Sequence, residues 1–261
     1  MQRLTIGSEG IRTSLIEAGT GRPTILVHGT SSSAESNWAA LLPGLAQHRR
    51  CLALDLRGSG ETHDDGAPLT LETLVEQVRA CMDLAPDQQA DLVGYSLGGV
   101  VAAAAAALMP ERVRRLAVFG AWAQTDRRMR LLFSLWQSLA LSDHHQLARM
   151  ILLNGVSEPY LARLDDATAD AILARFGSGL APGSDRQAAL DATIDIAPLL
   201  PRIRAATLVI GLRHDRMVPP AHCRALAEAI GQARYAEIDS GHLVMLEQPE
   251  RLLELISRHL D

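Results

Sequence analysis

Lysine is absent from this sequence, in which all 25 basic residues are arginine. The absence excludes a Schiff base on lysine and a nucleotide-binding P-loop, because both need a lysine amine. Cysteine is scarce as well: Cys51, Cys81 and Cys223 are far apart, odd in number and outside any C-x-x-C pair. This spacing fits reduced thiols better than a disulfide framework or a metal site. We therefore expect neither a disulfide nor a metal ion.

Long apolar runs and an excess of positive charge are also missing. The alanine tract 102–107 is the nearest candidate for a membrane span, and it is far shorter than the ~20 residues required. The first residues lack the apolar core of a secretory signal. The net charge of −5 argues against nucleic acid or an anionic membrane as the main partner. We expect a soluble, cytoplasmic protein whose partner is a small molecule.

The strand and helix patterns predict the class of fold. The 261 residues are enough for one large domain with an inserted subdomain. Residues 3–6 and 11–17 flank the glycine-containing loop 7–10, which indicates a β-hairpin. Short apolar runs typical of buried strands then alternate with helical patterns, and these runs are 24–27, 50–54, 90–93, 116–119, 206–211 and 234–238. The alternation predicts an α/β fold with a mostly parallel sheet flanked by helices.

The alternation is interrupted between residues 124 and 200, where strand patterns vanish and apolar residues recur at helical spacing. We interpret this segment as an inserted cap of roughly four helices, laid over the strand ends. The predicted domain organisation is therefore an α/β core formed by residues 1–123 and 201–261, with a helical cap formed by residues 124–200.

The stretch Gly94-Tyr95-Ser96-Leu97-Gly98 reads G-x-S-x-G, and it stands between a strand pattern and an alanine-rich helix pattern. A serine on such a sharp turn adopts strained backbone angles, and glycines two residues to either side remove colliding side chains. The helix start directs unpaired N–H groups at the same point. The pattern also arises by chance in glycine-containing turns, but this context predicts a nucleophile at Ser96.

A serine hydroxyl is a weak nucleophile and needs a base, together with a group that orients the base. In open α/β sheets, reactive groups gather beyond the carboxyl ends of the strands. His242 follows the last strand pattern and is the best candidate for the base, with a surface histidine in a turn as the alternative. His28 leads a glycine loop, so we assign it a structural role. His214 fits an exposed position and a pocket wall equally well.

Three aspartates that follow strand patterns are candidates for the orienting group. Asp215 comes after the strand pattern 206–211 and is the leading candidate, since it would accept a hydrogen bond from one imidazole nitrogen. Asp55 precedes Arg57 and a glycine turn, which favours an internal ion pair. Asp239 is close to His242 in the chain, and capping of the turn explains it as well.

Acyl transfer also needs hydrogen-bond donors for the developing oxyanion. The backbone N–H of Leu97, directly after the serine, is one expected donor. The backbone N–H of Thr30, in the loop that follows the strand pattern 24–27, is the other. The alternative for Thr30 is an ordinary loop residue. Because both donors belong to the backbone, the positions matter more than the two side chains.

Taken together, these motifs resemble the α/β-hydrolase superfamily, whose triad has the chain order Ser, Asp, His. The matching set extends over nearly the whole chain and comprises His28-Gly29, Asp55-x-Arg57-Gly58-x-Gly60, Gly94-x-Ser96-x-Gly98, Asp215-x-x-Val218-Pro219 and Gly241-His242. The size and the helical insertion are similar to those of 3-oxoadipate enol-lactonases and small carboxylesterases. Serine at position 96 departs from haloalkane dehalogenases and epoxide hydrolases, which have aspartate there.

The resemblance implies a serine hydrolase that cleaves an ester, lactone or thioester through an acyl-enzyme, without a cofactor. One alternative is a non-hydrolytic reaction of the same triad, either acyl transfer or a lyase reaction. A non-catalytic ligand-binding module is a second alternative.

Aromatic and methionine side chains are the expected walls of a substrate pocket, although each would pack equally well in a core. They are Trp38, Tyr95, Trp122, Met129, Phe133, Trp136 and Met245. Their character favours a largely apolar substrate. The 124–200 segment also carries arginines that are candidates for a contact with a substrate carboxylate, namely Arg127, Arg128, Arg130 and Arg149.

Overall fold

One mixed sheet forms the centre of the protein. The computed structural model describes residues 1–8, 11–85 and 89–261, so residues 9 and 10 of the predicted hairpin loop lie outside the described part. The strands are β1 (Gln2–Ser8), β2 (Ile11–Ala18), β3 (Arg22–Val27), β4 (Arg49–Leu54), β5 (Ala90–Tyr95), β6 (Val113–Phe119), β7 (Ala206–Leu212) and β8 (Arg234–Ile238). They are ordered β1-β2-β4-β3-β5-β6-β7-β8 across the sheet.

The sheet is mostly parallel, which confirms the prediction from the alternating patterns. Strand β2 pairs antiparallel with β1 and β4, and the pairs from β4 through β3 to β8 are parallel. The central strand β5 has all six residues buried. Burial on both faces explains why its sequence does not alternate between apolar and polar residues. Its one charged residue, the buried Asp91, forms ion pairs with Arg49 and Arg114.

Helices cover both faces of the sheet. Their bounds are α1 (Ala34–Trp38), α2 (Leu42–Leu45), α3 (Leu71–Met82), α4 (Leu97–Leu108), α5 (Arg127–Ser142), α6 (His144–Gly155), α7 (Glu158–Leu161), α8 (Asp166–Ser178), α9 (Ser184–Asp191), α10 (Pro220–Ile230), α11 (Val244–Glu247) and α12 (Pro249–Leu260). Helix α4 is buried over residues 97–107, where six alanines let it approach the sheet closely. Within the described ranges, none of these helices has the length and apolarity that a membrane crossing requires.

Five of the helices, α5 to α9, lie between β6 and β7 in the chain. Aspartate or serine side chains cap the starts of four of them by accepting hydrogen bonds from backbone amides. Roughly four helices were expected here. The additional one is the single turn α7, which begins at the Ser157 cap and has Pro159 in its first turn. We use the term cap segment for residues 124–200.

Strand register brings four loops to one edge of the sheet. In the parallel pairs Val27 is opposite Gly94, and Leu212 is opposite Ile238. Strands β3 and β5 therefore end side by side, as do β7 and β8, and β6 lies between the two pairs. The residues that follow these strands converge at this edge, which is where reactive groups collect in open α/β sheets.

Candidate active site

Ser96 occupies a strained turn between β5 and α4, with φ 54° and ψ −124°. A Cβ atom on Gly94 would lie 2.3 Å from the carbonyl oxygen of Gly98. A Cβ atom on Gly98 would lie 2.2 Å from the carbonyl oxygen of Val27 on β3. Since no side chain fits at either position, the two glycines are a steric requirement of the turn.

His242 lies between Ser96 and Asp215. Its Nε2 atom is 3.1 Å from Ser96 Oγ, and its Nδ1 atom is 2.6 Å from Asp215 Oδ2. All three residues are buried. With Nδ1–H donated to the carboxylate, the lone pair of Nε2 faces the serine hydroxyl, so the imidazole is oriented to accept the hydroxyl proton.

The Asp215 carboxylate is held by the backbone of its own turn. Its Oδ1 atom accepts hydrogen bonds from the amides of Met217 and Val218, both at 2.8 Å. These bonds leave Oδ2 for the histidine and stabilise the charge of a fully buried carboxylate. The turn after β7 therefore fixes which oxygen faces His242.

Two neighbours restrict the His242 ring. The Tyr95 hydroxyl donates a hydrogen bond of 3.0 Å to the His242 carbonyl oxygen, and the two rings are 5.0 Å apart. Burial, and next the charge of Asp215, raise the pKa of the Tyr95 phenol well above its ordinary value, so it remains a neutral donor. On the other side, a Cβ atom on Gly120 would lie 3.0 Å from His242 Cε1.

The other candidate acids make different contacts. The Asp239 side chain is exposed and lies 2.9 Å from His214 Nε2, which places both groups at the surface. Asp55 forms an internal ion pair, but its partner is Arg3 at 2.9 Å, whereas Arg57 contacts Asp65.

His28 stabilises the loop after β3. Its Nε2 atom accepts a hydrogen bond of 2.9 Å from the Leu56 amide, so Nδ1 carries the proton that is donated to the Gly29 carbonyl at 2.7 Å. Burial lowers the pKa of this imidazole, which keeps it neutral. The two hydrogen bonds connect the loops that follow β3 and β4, as expected of a structural histidine.

The amides of Thr30 and Leu97 are free to act as donors. Neither donates a hydrogen bond to an acceptor in residues 1–8, 11–85 or 89–261. Leu97 is the first residue of α4, where amides have no partner within the helix. Thr30 lies in the neighbouring loop and shares with Ser96 the wall of one cavity.

This cavity has a volume of about 470 Å³ and is lined by the loops at the strand ends and by the cap segment. Of the seven predicted wall residues, the four on the cavity are Tyr95, Phe133, Trp136 and Met245. Several further walls are aliphatic or come from α8, namely Ile151, Phe176, Leu180, Met217, Leu243 and Leu246. The sequence carries no local signal for these residues, because apolar side chains of these types are equally typical of core packing.

Trp38, Trp122 and Met129 do not line the cavity, which corrects the prediction for these three. Trp38 packs edge-on against Phe119, at a ring distance of 6.1 Å. Trp122 stacks on Phe133 with ring centroids 5.4 Å apart. Met129 is fully buried in the same cluster as Trp122. Each side chain packs against a neighbouring layer of the core. The residue type alone does not reveal this direction.

One cap-segment arginine reaches the cavity, and it is not among the four named from the sequence. Arg175, on α8, lies at the wall with its guanidinium 5.8 Å from the Phe176 ring centroid. Its side chain is exposed, and it forms no ion pair with any residue that the structure describes. The four named arginines are exposed and lie off the cavity: Arg127, Arg128, Arg130 and Arg149.

The described part of the chain contains no cluster of three or more His, Cys, Asp or Glu side chains arranged to hold a metal ion. The cavity wall carries the Ser96 hydroxyl, the His242 imidazole that contacts Asp215, and Thr30, whose amide is free, as is the amide of Leu97 next to Ser96. This combination can perform nucleophilic acyl chemistry.

The chain is similar to known proteins over almost its whole length. The sequence profile of the alpha/beta hydrolase fold family matches residues 23–249. A pyrrolizixenacetamide deacetylase from Xenorhabdus hominickii is 36% identical over 244 residues, which cover 93% of this chain and 92% of that protein. A 2-hydroxy-6-oxo-2,4-heptadienoate hydrolase from Pseudomonas putida is 29% identical over 263 residues, covering 96% of this chain and 93% of that one.

A solved structure is similar over the same extent. The crystal structure of an enol-lactonase from Burkholderia xenovorans superimposes with a TM-score of 0.86 at 25% identity, covering 98% of this chain and 99% of that one. The family match, the relatives named as hydrolases and the sheet order agree with one another. The chain therefore belongs to the alpha/beta hydrolase fold family.

Proposed function

We propose that the protein is a serine hydrolase that cleaves an ester, lactone or thioester of a small, largely apolar substrate. The single observation that carries this proposal is the hydrogen-bonded chain from Ser96 through His242 to Asp215 at the wall of the cavity, with distances of 3.1 and 2.6 Å. A serine without a base within hydrogen-bond reach would be a weak nucleophile, and this one has a base with a fixed orientation.

In the proposed acylation step, Ser96 Oγ bonds to the substrate carbonyl carbon while His242 Nε2 takes the hydroxyl proton. The carbonyl oxygen becomes an oxyanion that the amides of Thr30 and Leu97 stabilise. Asp215 stabilises the imidazolium, which then protonates the leaving oxygen or sulfur. Water deprotonated by His242 cleaves the acyl-enzyme, releases the acid and restores the serine hydroxyl.

The cavity supports a small substrate with an apolar acyl or alkyl part. Its volume of about 470 Å³ and its walls, such as Phe133, Trp136 and Ile151, suit a group of modest size. Arg175 adds a cation at the wall, with which a substrate carboxylate would pair. The similarity to an enzyme named for a heptadienoate, which is a carboxylate, supports a substrate that carries a carboxylate.

Removal of an acetyl group from nitrogen is a second candidate reaction. The 36% identical relative is named as a deacetylase of an acetamide, and this similarity extends over nearly the whole chain. The same residues would serve, because the imidazolium would protonate a leaving amine in place of an oxygen. The two candidates differ in the leaving group and in the size of the acyl group.

The test is labelling with a fluorophosphonate, followed by intact mass measurement. We expect one label on the wild type, none on Ser96→Ala, and one on Ser134→Ala, which removes an exposed hydroxyl on α5 as a matched control. Turnover of nitrophenyl acetate, butyrate and octanoate, of an aryl lactone and of an N-acetyl arylamide then separates the candidates. A folded wild type that is neither labelled nor active on this panel would contradict the proposal.

A further inference from the structure

Asp191, the last residue of α9, is a buried acid that the proposed mechanism does not use. Its side chain is inaccessible to solvent. Its Oδ2 atom lies 2.6 Å from Thr30 Oγ1, and its Oδ1 atom has no hydrogen-bond partner among the described residues. The structure thus places a carboxyl group with one polar contact directly behind the loop that holds the Thr30 amide.

This environment favours the neutral form of Asp191. An ionised carboxylate here would keep a charged oxygen without a partner inside the protein, which is more costly than an unpaired carbonyl oxygen. Burial accordingly raises the pKa of Asp191 to about 8, and the opposing effect of the Thr30 hydrogen bond is smaller. At neutral pH the carboxyl group therefore carries a proton.

The proton of Asp191 determines the direction of the hydrogen bond to Thr30. Only Oδ2 has a neighbour that can accept a hydrogen bond, since Oδ1 has no partner among the described residues, so the proton of the neutral carboxyl group lies on Oδ2 and is donated to Thr30 Oγ1. The hydroxyl of Thr30, which donates to Oδ2 when Asp191 is ionised, then acts as the acceptor and keeps its own hydrogen for another partner. Thr30 lies on the cavity wall, and its hydroxyl contacts no other acceptor in the described part of the chain. The hydrogen is then available to a bound substrate.

We propose that the Thr30 hydroxyl donates a hydrogen bond to an oxygen of the substrate at the reacting centre, and that Asp191 is the positioning residue that directs this hydroxyl into the cavity. The inference rests on the proposed function. It adds a side-chain donor to the two backbone donors. When Asp191 loses its proton, the hydroxyl turns to donate to the carboxylate, and the substrate loses this donor.

Helices α5 and α9 also hold the loop beside Thr30 rigidly. Ser31 has φ 61°, which is unusual for a residue other than glycine. Its amide donates to Gln187 Oε1 at 2.8 Å, and its hydroxyl accepts from the Trp136 indole at 2.9 Å. Gln187 in turn donates to Ser59 Oγ at 2.8 Å. A donor on this loop is thus fixed before the substrate binds, as effective oxyanion stabilisation requires.

The charged groups on the elements around Asp191 have other partners or are solvated. Asp185, on the same helix, is partly exposed. The remaining pairs and groups are Arg186 with Asp64, Arg57 with Asp65, Asp126 with His222, and the neutral His28. Burial and the Thr30 hydroxyl are the causes that act on the pKa of Asp191.

The experiment measures kcat and KM for nitrophenyl acetate between pH 6 and 9.5, corrected for spontaneous hydrolysis. Thr30→Val removes the hydroxyl and keeps the amide, and we expect kcat to fall about tenfold or more, with a much smaller change in KM. Thr30→Ser is expected to recover most of this loss, which a purely structural role of the side chain would not produce.

Two variants of Asp191 test its role. We expect kcat of the wild type to decrease above pH ~8, where Asp191 loses its proton. Asp191→Asn donates an N–H to Thr30 at every pH, so this decrease should be absent in that variant. Asp191→Leu cannot donate, and its kcat should be about tenfold below that of Asp191→Asn at pH 7. Asp185→Asn, the same substitution on the same helix, serves as the control and should keep the alkaline decrease.

The proposal is overturned if Thr30→Val keeps the wild-type kcat, or if Asp191→Asn retains the wild-type alkaline decrease. It is also overturned if Asp191→Asn and Asp191→Leu have the same kcat. If Thr30→Val does not fold, the two Asp191 variants decide alone. Fluorophosphonate labelling and turnover of the wild type separate the two proposals: a folded wild type that is neither labelled nor active contradicts the proposed function, and a labelled, active one whose kcat is unchanged in Thr30→Val contradicts only this inference.

Discussion

Replacement of Asp215 by asparagine gives the sharpest test of the proposed triad, because the structure limits how the new amide group sits. In one orientation its oxygen faces His242, and its NH₂ group then meets the amides of Met217 and Val218. That orientation sacrifices two hydrogen bonds of 2.8 Å in a buried place, at a cost of about 1–3 kcal/mol for each group left unpaired. The opposite orientation keeps both bonds and should prevail.

In the favoured orientation the NH₂ group faces His242 Nδ1, which has to become the acceptor of the 2.6 Å contact. The proton then moves to Nε2 and faces Ser96, so the imidazole can no longer accept the hydroxyl proton. Loss of the correct tautomer costs about 10⁴ in kcat, equivalent to about 5 kcal/mol of transition-state stabilisation. We expect a folded protein with this loss.

The assay is steady-state turnover of the best nitrophenyl ester, with thermal melting as the check on folding. Asp239→Asn is the matched control, because its carboxylate is exposed and contacts His214 rather than His242. Its kcat should stay within about twofold of the wild type, as for most surface changes. Near-normal turnover of Asp215→Asn, or a large loss in Asp239→Asn, would refute the reasoning from the hydrogen-bond geometry.

Three other predictions concern the site and its surroundings. Gly120→Ala would place a Cβ atom 3.0 Å from His242 Cε1 and displace the ring, so kcat should fall about tenfold; an unchanged kcat in a folded variant would contradict this. Arg175→Met should raise KM for an ester that carries a carboxylate and leave KM for a neutral ester of equal length unchanged, and equal effects on both substrates would rule out a charge contact. The pKa of Asp191 is raised to about 8 in the folded state, whereas the unfolded chain releases this proton near pH 4. The contribution of this group to the free energy of unfolding is therefore lost as the pH rises from about 4 to about 8. Urea unfolding at pH 5 and pH 8 should show this decrease in the wild type and its absence in Asp191→Asn.

The sequence alone was sufficient for features that depend on local patterns. The strand, turn and helix around Ser96 are adjacent in the chain, and glycines at positions 94 and 98 identify the turn because no side chain fits there. The alternation of strands and helices predicted the mostly parallel sheet, since burial on both faces produces continuous apolar runs. The expected convergence of loops at the carboxyl ends of the strands also follows from this topology.

Only the tertiary structure decided which distant side chains meet. The ion-pair partner of Asp55 is Arg3 rather than its neighbour Arg57, because the β1–β2 hairpin brings Arg3 to it. Trp38 packs in the core, although an aromatic side chain is equally typical of a pocket wall. The contact between Thr30 and Asp191 joins residues that are far apart in the chain. A sequence pattern records how often a residue type recurs, whereas the direction of a side chain and the partner opposite it are set by how the layers pack.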